Sequence, residues 1–311
     1  MKISELFNPK KNNHLFELKN EFNFIKKLIK NNNLPKVILL TGDKGIGKST
    51  LVNHVLHFFF DRKNYNEETC SYELKTPFNI QFSQNIFPNI IFLGYSQSEN
   101  VKIDDVRNLR NQLNKTTIDN NKRFVVFDDV EKFNLNSLNG LLKIIEEPGI
   151  NNHFILINNK STPILDTIRS RCFELKIILQ SEERNRIITK LIDHFEQKII
   201  LDKNLVKISP GNFLKFNYII NEKKIDIEGS FLTNFKNLMN LYKKDKEIIY
   251  KEILIFFTEY YLQNIFQKGL CSKERFIKSR SLAVKNINEF FLYNLNQNTL
   301  ISSIQDTFTD E

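Results

Sequence analysis

The sequence has no tryptophan, only three cysteines and two methionines, and few glycines and prolines, nine and seven, among its 311 residues. The three cysteines, Cys70, Cys172 and Cys271, cannot supply a four-cysteine zinc site and lie too far apart for a disulfide framework. No apolar run approaches the ~18 residues that a membrane-spanning helix needs, and the first residues lack the apolar stretch of a signal peptide. These absences predict a cytoplasmic protein with no zinc and no membrane partner.

The chain carries an excess of positive charge. Lysine and arginine number 45 against 36 aspartates and glutamates, which gives a formal net charge of +9. A nucleic-acid-binding surface would cluster this charge on one face. The abundance of Lys, Asn, Ile and Phe is equally typical of an AT-rich genome, which spreads lysines over every surface, and the composition leaves both interpretations open. With 41% hydrophobic residues the chain can build sizeable cores, so wholesale disorder is excluded.

The N-terminal half alternates short apolar runs with segments of helical periodicity. The apolar runs that predict buried strands are Val37–Leu40, Phe124–Phe127 and Phe154–Ile157, and Asn89–Leu93 is a further candidate strand. The predicted helices are Glu17–Lys30, Ser49–Phe60, Ile103–Leu113, Leu135–Glu147 and Pro163–Ser170. Strands that alternate with helices predict an α/β fold with a doubly wound parallel sheet.

After these elements only helical patterns occur. They are Glu182–Phe195, Lys203–Ile208, Asn212–Ile220, Phe231–Tyr242, Lys246–Gln267 and Glu274–Asn294. The Ser209-Pro210-Gly211 turn and the polar stretch Asn221–Gly229 are the natural breaks. We therefore expect an α/β domain over residues 1–178, a small helical domain over 179–225 and a helical C-terminal domain over 226–311.

A glycine-rich motif lies between the first predicted strand and the helix that follows it. Residues 42–49 match the pattern G-x-x-x-x-G-K-[ST] at every required position. Backbone N–H groups of such a loop face phosphates, while Lys48 reaches the β- and γ-phosphates and Ser49 binds Mg²⁺. The alternative is an ordinary glycine turn, but the position between a strand and a helix favours a nucleotide site. The candidate nucleotide-binding residues are Gly42, Asp43, Lys44, Gly45, Ile46, Gly47, Lys48, Ser49 and Thr50.

Two acidic residues, Asp128 and Asp129, follow the predicted strand Phe124–Phe127. They are expected at the carboxyl edge of the sheet, where ligands bind in open α/β folds. Asp128 is the candidate that holds Mg²⁺ through water, as the acidic partner of Ser49. Taken alone, the pair is also compatible with the N-cap of a following helix. Together with the glycine-rich motif it favours a site for ATP and Mg²⁺.

Several motifs resemble those of one protein family. The segment Phe154–Cys172 ends in Ser170-Arg171-Cys172, which resembles the arginine-finger motif of the clamp-loader branch of the AAA+ proteins. Three more segments are similar to motifs of that branch: Ile103–Arg107 (IDDVR), Asn139–Pro148 (NGLLKIIEEP) and Phe87–Asn89 (FPN). The resemblance implies an AAA+ P-loop parallel-sheet domain, then a small helical lid domain, then an all-α C-terminal collar domain that joins neighbouring subunits.

Within that branch the sequence is most similar to the delta-prime subunits of bacterial DNA polymerase III. The gamma/tau motor subunits normally carry four zinc-binding cysteines after the phosphate loop, where this chain has only Cys70 in the segment Tyr65–Asn85. The resemblance implies a part of the DNA-directed DNA polymerase holoenzyme that helps to load the sliding clamp onto primed DNA. The implied partners are gamma/tau and delta subunits in a hetero-oligomeric ring, the sliding clamp, and primer–template DNA reached through the complex.

The resemblance also assigns roles to individual residues. Arg171 corresponds to a finger donated in trans to the γ-phosphate of a neighbouring subunit. Spacing alone would instead predict a surface ion pair with a local carboxylate such as Glu174. Asp129 stands where the motors of the family have a water-orienting glutamate, and it is one methylene shorter. Asn159, or its neighbour Asn158, corresponds to the first sensor residue.

The second sensor of the family is an arginine, and the matching stretch Ser209–Asn212 contains none. Together with Asp129, this absence predicts ATP binding with weak or absent hydrolysis. One alternative is a self-sufficient AAA+ ATPase of DNA metabolism, such as the gamma/tau motor subunit. A weaker alternative is a scaffold with a vestigial phosphate loop, which the intact Gly47-Lys48-Ser49 disfavours.

Overall fold

The computed structural model describes residues 3–94, 101–113 and 121–309. The chain divides into two compact units. The first, here called the α/β unit, comprises Phe7–Ile187 and Ser209–Gly211. The second, here called the helical unit, comprises Met1–Leu6, Ile188–Ile208 and Asn212–Glu311. The finer division into three domains, with boundaries after residues 178 and 225, stays a prediction.

Every strand in the described residues lies in the α/β unit. The strands are β1 (Val37–Thr41), β2 (Tyr65–Asn66), β3 (Ser71–Tyr72), β4 (Ile90–Gly94), β5 (Arg123–Asp128), β6 (Asn152–Asn158) and β7 (Phe173–Lys176). Five of them form a sheet in the order β4-β5-β6-β1-β7, and all of its pairs are parallel. Strands β2 and β3 pair antiparallel as a small hairpin. The predicted parallel sheet is therefore confirmed.

The α-helices of the described residues lie in both units. In chain order they are α1 (Ile3–Leu6), α2 (Lys19–Lys30), α3 (Lys48–Phe60), α4 (Pro77–Ser83), α5 (Ile103–Leu113), α6 (Leu135–Glu146), α7 (Asp166–Arg169), α8 (Ser181–His194), α9 (Pro210–Glu222), α10 (Phe231–Asp245), α11 (Ile249–Gln267), α12 (Lys273–Tyr293) and α13 (Gln297–Thr309). The part of the chain after β7 is all-α in the described residues, as the sequence predicts.

One predicted helix is wrong. Residues 203–208 form turns and bends rather than a helix. Six residues are too few to stabilise a helix by themselves, because nucleation fixes several residues for the first hydrogen bond. The Asp202 side chain also accepts the N–H of Asn204 over 2.8 Å, and such a local bond favours a turn.

Alternate residues of β1 enter two hydrophobic cores, one on each face of the sheet. Ile38 and Leu40 pack with residues of α2 and α3 in one core. Leu39 packs with residues of α5 and α6 in the other. All five residues of β1 are buried, which is the pattern of a parallel strand covered on both faces. This packing fixes the point at which the chain leaves β1 and enters the glycine-rich motif.

Aromatic packing around Phe231 joins three helices of the helical unit. The Phe231 ring, at the start of α10, lies 5.7 Å from the Phe257 ring and 4.6 Å from the Tyr261 ring, both on α11. It also lies 4.5 Å from the Phe308 ring on α13. Buried aromatic contacts of this kind contribute much of the packing energy of a small helical core. Across the described residues, none of the helices is both long enough and apolar enough to cross a membrane.

Candidate functional site

The glycine-rich motif forms the connection between β1 and α3. Strand β1 ends at Thr41 and helix α3 begins at Lys48. Gly45 and Gly47 have φ values of 87° and 103°, in the left-handed region that residues with a Cβ disfavour. Gly47 is the N-cap of α3, whose first N–H groups have no acceptor inside the helix. The strand, loop and helix that a phosphate-binding loop requires are all present.

Lys48 lies inside this loop and is only 3% exposed. Its Nζ donates to the carbonyl oxygens of Gly42, over 2.6 Å, and of Asp43, over 2.8 Å. Burial lowers the pKa of Lys48 to about 8, although the negative charges of Asp128 and Glu131 act in the opposite direction. A buried ammonium held mainly by carbonyl groups favours an anion nearby, because a phosphate supplies stronger, charge-assisted hydrogen bonds.

Asp128 ends β5 at the edge of the sheet where β1 also ends. Burial, followed by repulsion from Asp129, raises the pKa of Asp128 to about 6, while the positive charge of Lys48 opposes this. A carboxyl group whose charge is disfavoured in this way gains when a cation binds beside it. Ser49 stands in the first turn of α3, immediately after the loop. The site therefore offers the hydroxyl and carboxylate oxygens that Mg²⁺ prefers.

Asp129 is engaged by two other side chains. It is 7% exposed and has a φ of 53°, an uncommon value for a residue with a side chain. The Lys132 Nζ lies 2.9 Å from its Oδ2, and the amide of Asn159 donates to its Oδ1. Both carboxylate oxygens are thus occupied within the chain. A carboxylate in this state is poorly placed to orient an attacking water.

The two asparagines at the end of β6 have different partners. Asn158 is 3% exposed, and its Oδ1 accepts the backbone N–H of Lys160 over 2.9 Å. The side chain of Asn159 instead faces the Asp129 carboxylate. Of the two candidate sensor residues, Asn159 is therefore the one directed at the acidic end of β5.

Glu131 and Lys132 belong to this region, although no motif in the sequence points to them. Glu131 is 6% exposed, and its Oε1 accepts the Ser161 hydroxyl over 2.8 Å. Its backbone carbonyl accepts the Thr162 hydroxyl over 2.8 Å. These bonds fasten the loop after β6 to the turn after β5. The available signal was an adjacent acid and base just beyond Asp129, a pattern with no specific meaning until the strand ends are brought together.

Arg171 lies at the opposite end of the sheet from the glycine-rich loop. It precedes β7, whose first residue, Phe173, pairs with Ile38 near the start of β1. The loop, in contrast, follows the end of β1. The structure therefore places Lys48 and Asp128 at the carboxyl end of the parallel strands and Arg171 at their amino end.

The guanidinium of Arg171 has partners within the chain. Its Nη2 lies 2.7 Å from Oε1 of Glu146, and its Nη1 donates to the carbonyl of Thr167 over 2.9 Å. Glu174, the carboxylate that spacing suggested, faces Arg169 instead, with 3.6 Å between Nε and Oε2. Arg171 is thus in an ion pair, but with a residue 25 positions away in the sequence.

The segment Tyr65–Asn85 contains the β2–β3 hairpin and α4. Cys70 within it is buried and is not in a disulfide. In the part of the chain that the structure describes, no group of three or more His, Cys, Asp or Glu side chains is arranged to hold a metal ion. A magnesium ion held by Ser49 and Asp128 would therefore take its remaining ligands from water and phosphate, as Mg²⁺ usually does.

Residues 18–181, just over half of the chain, match the family described as "DNA polymerase III, delta subunit". The matched range begins one residue before α2 and ends at the first residue of α8. It therefore includes the whole central sheet, the glycine-rich loop and Arg171.

Curated relatives match over a similar stretch. DNA polymerase III subunit delta′ of Buchnera aphidicola subsp. Baizongia pistaciae is 32% identical over 140 residues, 43% of this chain and 41% of that protein. The subunit delta′ of Pseudomonas aeruginosa is 28% identical over 137 residues, 44% and 41% of the two chains. DNA polymerase III subunit gamma of Buchnera aphidicola subsp. Schizaphis graminum is 29% identical over 147 residues, 47% and 39% of the two chains. This chain spans about two fifths of the length of these relatives.

A solved structure with the same fold is that of a DNA polymerase III, gamma subunit-related protein from Thermotoga maritima. The TM-score is 0.52 at 14% sequence identity, and the alignment covers 92% of this chain and 99% of that one. At this identity the likeness establishes the fold alone. The structural alignment also includes helices that lie beyond residues 18–181, the range that matches the family.

Proposed function

The chain belongs to the DNA polymerase III delta subunit family, with an α/β AAA+ domain and an all-α C-terminal part, and we propose that it acts as a delta-prime-like clamp-loader subunit. In this role it binds ATP with Mg²⁺ and supplies Arg171 in trans to a neighbouring ATPase subunit. It helps to load the sliding clamp onto primed DNA as part of a DNA polymerase III holoenzyme. Its partners are gamma/tau and delta subunits in a cytoplasmic hetero-oligomeric ring, through which it reaches the clamp and the primer–template DNA.

The position of Arg171 relative to the glycine-rich loop carries the proposal. The loop follows the carboxyl end of β1, and Arg171 precedes the amino end of the parallel strand β7. Strands of four or five residues span roughly 13–17 Å, which is longer than an arginine side chain. Arg171 therefore cannot serve a nucleotide in its own loop. A nucleotide on a neighbouring subunit, bound against the other end of this sheet, is within the reach of a residue placed there.

The loop supports the nucleotide part of the proposal. Lys48 would hold the β- and γ-phosphates, Ser49 would bind Mg²⁺, and Asp128 would hold the ion through water. The free chain already keeps the Lys48 ammonium and the Asp128 carboxyl group buried, at pKa values of about 8 and about 6. When bound, Mg²⁺ and ATP supply the charges that balance both groups. Residues Gly42–Gly47 and Thr50 complete the loop and the first turn of α3 around them.

Two features support weak hydrolysis by this chain itself. Asp129 has both carboxylate oxygens engaged, by Lys132 and Asn159. The turn Ser209–Asn212 has no arginine to contact a γ-phosphate. This chain therefore contributes to catalysis chiefly through Arg171 at the neighbouring site.

Binding of a labelled ATP analogue tests the nucleotide site. Lys48→Ala should abolish binding, because it removes the cation that faces the phosphates. Arg171→Ala is the matched control: it removes a positive charge at the opposite end of the sheet and should bind as tightly as the wild type. Wild-type affinity of Lys48→Ala would show that residues 42–50 do not bind the nucleotide as proposed.

A gamma/tau-like motor subunit is the second candidate, and the similarity to a DNA polymerase III subunit gamma favours it. Steady-state ATPase activity separates the two. The isolated chain should turn over well below the ~1 s⁻¹ at which typical enzymes begin, and a mixture with gamma/tau, delta, clamp and primed DNA should be far more active. A turnover of ~1 s⁻¹ or more by the isolated chain would favour the motor subunit.

A further inference from the structure

The short segment Ser209–Gly211 packs with the α/β unit, although the residues before and after it belong to the helical unit. Its contact is with the glycine-rich loop, where the N–H of Gly211 donates to the carbonyl oxygen of Gly45 over 2.9 Å. Gly211 is the second residue of α9, a position whose N–H has no acceptor within the helix. Gly45 supplies that acceptor.

Only glycine fits at position 211, because a side chain there would come too close to the backbone of Gly45. A Cβ at this position would lie 2.7 Å from the Gly45 oxygen and 3.3 Å from the Gly45 Cα. Both are backbone atoms, so no side-chain rotation can relieve the contact. Gly45 itself has a φ of 87°, a conformation that residues with a side chain rarely adopt. Any larger residue at position 211 must displace the loop or the start of α9.

The same hydrogen bond orients the next N–H group of the loop. The peptide between Gly45 and Ile46 is trans, so its C=O and its N–H point in opposite directions. Holding the Gly45 carbonyl against Gly211 therefore directs the Ile46 N–H to the inside of the loop. There it lies 3.4 Å from the carbonyl oxygen of Asp43. A hydrogen bond of this length is weak, so a phosphate oxygen can replace it readily.

We propose that Gly211 is a positioning residue for the phosphate-binding loop, which orients the Gly45–Ile46 peptide so that the Ile46 N–H is available to a phosphate. This inference rests on the proposed function, because it assumes that residues 42–50 bind a nucleotide. It gives a role to a turn that lacks an arginine: the turn acts on the nucleotide site through its backbone.

Gly211→Ala in the full chain tests the proposal by titration with a fluorescent ATP analogue. Affinity should fall by about tenfold or more, the scale of one lost hydrogen bond. If Gly211 had no role beyond its place in a helix, the variant would have unchanged affinity and a higher melting temperature, because alanine stabilises a helix more than glycine does. Gly140→Ala is the matched control, since Gly140 is also helical but its Cβ would meet side-chain atoms of Ile103 and Val106 at 3.1 Å. That variant should bind as the wild type does.

Lys48→Ala, measured in parallel, separates failure of this inference from failure of the proposed function. If Gly211→Ala keeps wild-type affinity while Lys48→Ala loses it, the role of Gly211 is overturned and the nucleotide site stands. If both keep wild-type affinity, the nucleotide site falls as well.

Amide hydrogen exchange in the wild-type chain decides the matter if Gly211→Ala does not fold. The Gly211 amide should be protected in the free chain, and the Ile46 amide should gain protection when the ATP analogue binds. Exchange of the Gly211 amide at the rate of an open amide, or an unchanged Ile46 amide, would overturn the proposal.

Discussion

Arg171 and Glu146 form an ion pair at the amino end of the central sheet, with 2.7 Å between Nη2 and Oε1. The other terminal nitrogen of Arg171 donates to the carbonyl of Thr167. Both terminal nitrogens are therefore occupied, and a phosphate must displace Glu146 to gain the two-pronged contact that guanidinium groups favour. The two side chains are 39% and 45% exposed, so the pair is weak and can exchange for such a ligand.

Arg171→Ala should leave folding, ring assembly and ATP binding by this chain unchanged, because an exposed ion pair contributes only ~0–1 kcal/mol to stability. If Arg171 acts in trans as proposed, the change should lower the ATPase activity of the assembled complex, since one site then loses a charge that stabilises its transition state. The loss should be partial, because the other sites of the ring do not use this arginine. Arg171→Lys should restore activity only in part, because an ammonium lacks the planar fork. Unchanged activity in a verified complex would leave Arg171 as a surface ion-pair partner.

Glu146→Gln keeps the shape of the side chain and removes its charge. If the ion pair with Glu146 holds Arg171 away from a phosphate in the free chain, this change should raise the ATPase activity of the complex. The increase should be no more than about fivefold, because an exposed ion pair contributes at most ~1 kcal/mol. It should have no effect in an Arg171→Ala background. Glu147→Gln, one residue further on, is the matched control and should behave as the wild type. An equal increase with and without Arg171 would mean that Glu146 acts elsewhere.

The engagement of Asp129 predicts a specific pattern of hydrolysis by the isolated chain. Asp129→Asn should leave the low turnover unchanged, because the carboxylate is held by Lys132 and Asn159. Asp129→Glu combined with Lys132→Ala should raise turnover, since it restores the longer acid and removes its ion pair. Single-turnover assays with radiolabelled ATP can measure such slow rates. Loss of all turnover in Asp129→Asn would identify Asp129 as a competent base.

Strands β1, β5 and β6 could be predicted because each contains an uninterrupted apolar run that is covered on both faces of the sheet. Strand β7 could not, because two of its four residues are Glu174 and Lys176, so no apolar run marks it. Helix α13 was also missed. Its buried residues Leu300 and Ile304 are spaced four apart, as in a helix, but they stand in a mainly polar segment with few apolar residues to mark the pattern.

The candidate site divides in the same way between local and long-range features. The phosphate loop and the acidic end of β5 are contiguous motifs and can be seen without a fold. The ion pair of Arg171 could not be predicted, because Glu174 is the nearer carboxylate in sequence. In the structure the Glu174 carboxylate accepts the Thr41 hydroxyl over 2.7 Å and faces Arg169. Glu146 reaches Arg171 only because α6 ends near the amino end of the parallel strands, where Arg171 also lies.

Two histidines of α3 make the stability of the chain sensitive to acid. His54 and His57 are both fully buried. Burial lowers the pKa of His54 to about 3, and it lowers the pKa of His57 as well. Because the unfolded chain then binds protons more readily, the stability that the two neutral histidines contribute is complete above the ordinary histidine pKa. This contribution is lost as the pH falls below that value. The free energy of unfolding should fall by up to ~1.4 kcal/mol per pH unit for each histidine below about pH 6.5.

Urea unfolding between about pH 7.5 and about pH 5 measures this slope. His54→Phe replaces the imidazole with an aromatic ring that does not titrate, so its stability should depend less steeply on pH than that of the wild type. Lys63→Gln, at an exposed position, is the control and should keep the wild-type slope. Equal slopes in all three proteins would mean that His54 does not contribute to acid sensitivity.

Three large apolar side chains are exposed at the end of α12 and just beyond it: Leu292 at 70%, Tyr293 at 66% and Leu295 at 42%. Large apolar side chains exposed within four residues are more than the isolated exposures common on a protein surface, so we expect this region to contact neighbouring subunits in the proposed ring. Leu292→Asp should leave folding and ATP binding unchanged, since it adds a charge at an exposed position, but should reduce co-elution with gamma/tau and delta in size-exclusion chromatography. Ile150→Asp, at a position 89% exposed in the α/β unit, is the control. Undiminished co-elution of Leu292→Asp, or an equal loss in the control, would mean that the main contact with the other subunits does not lie at the end of α12.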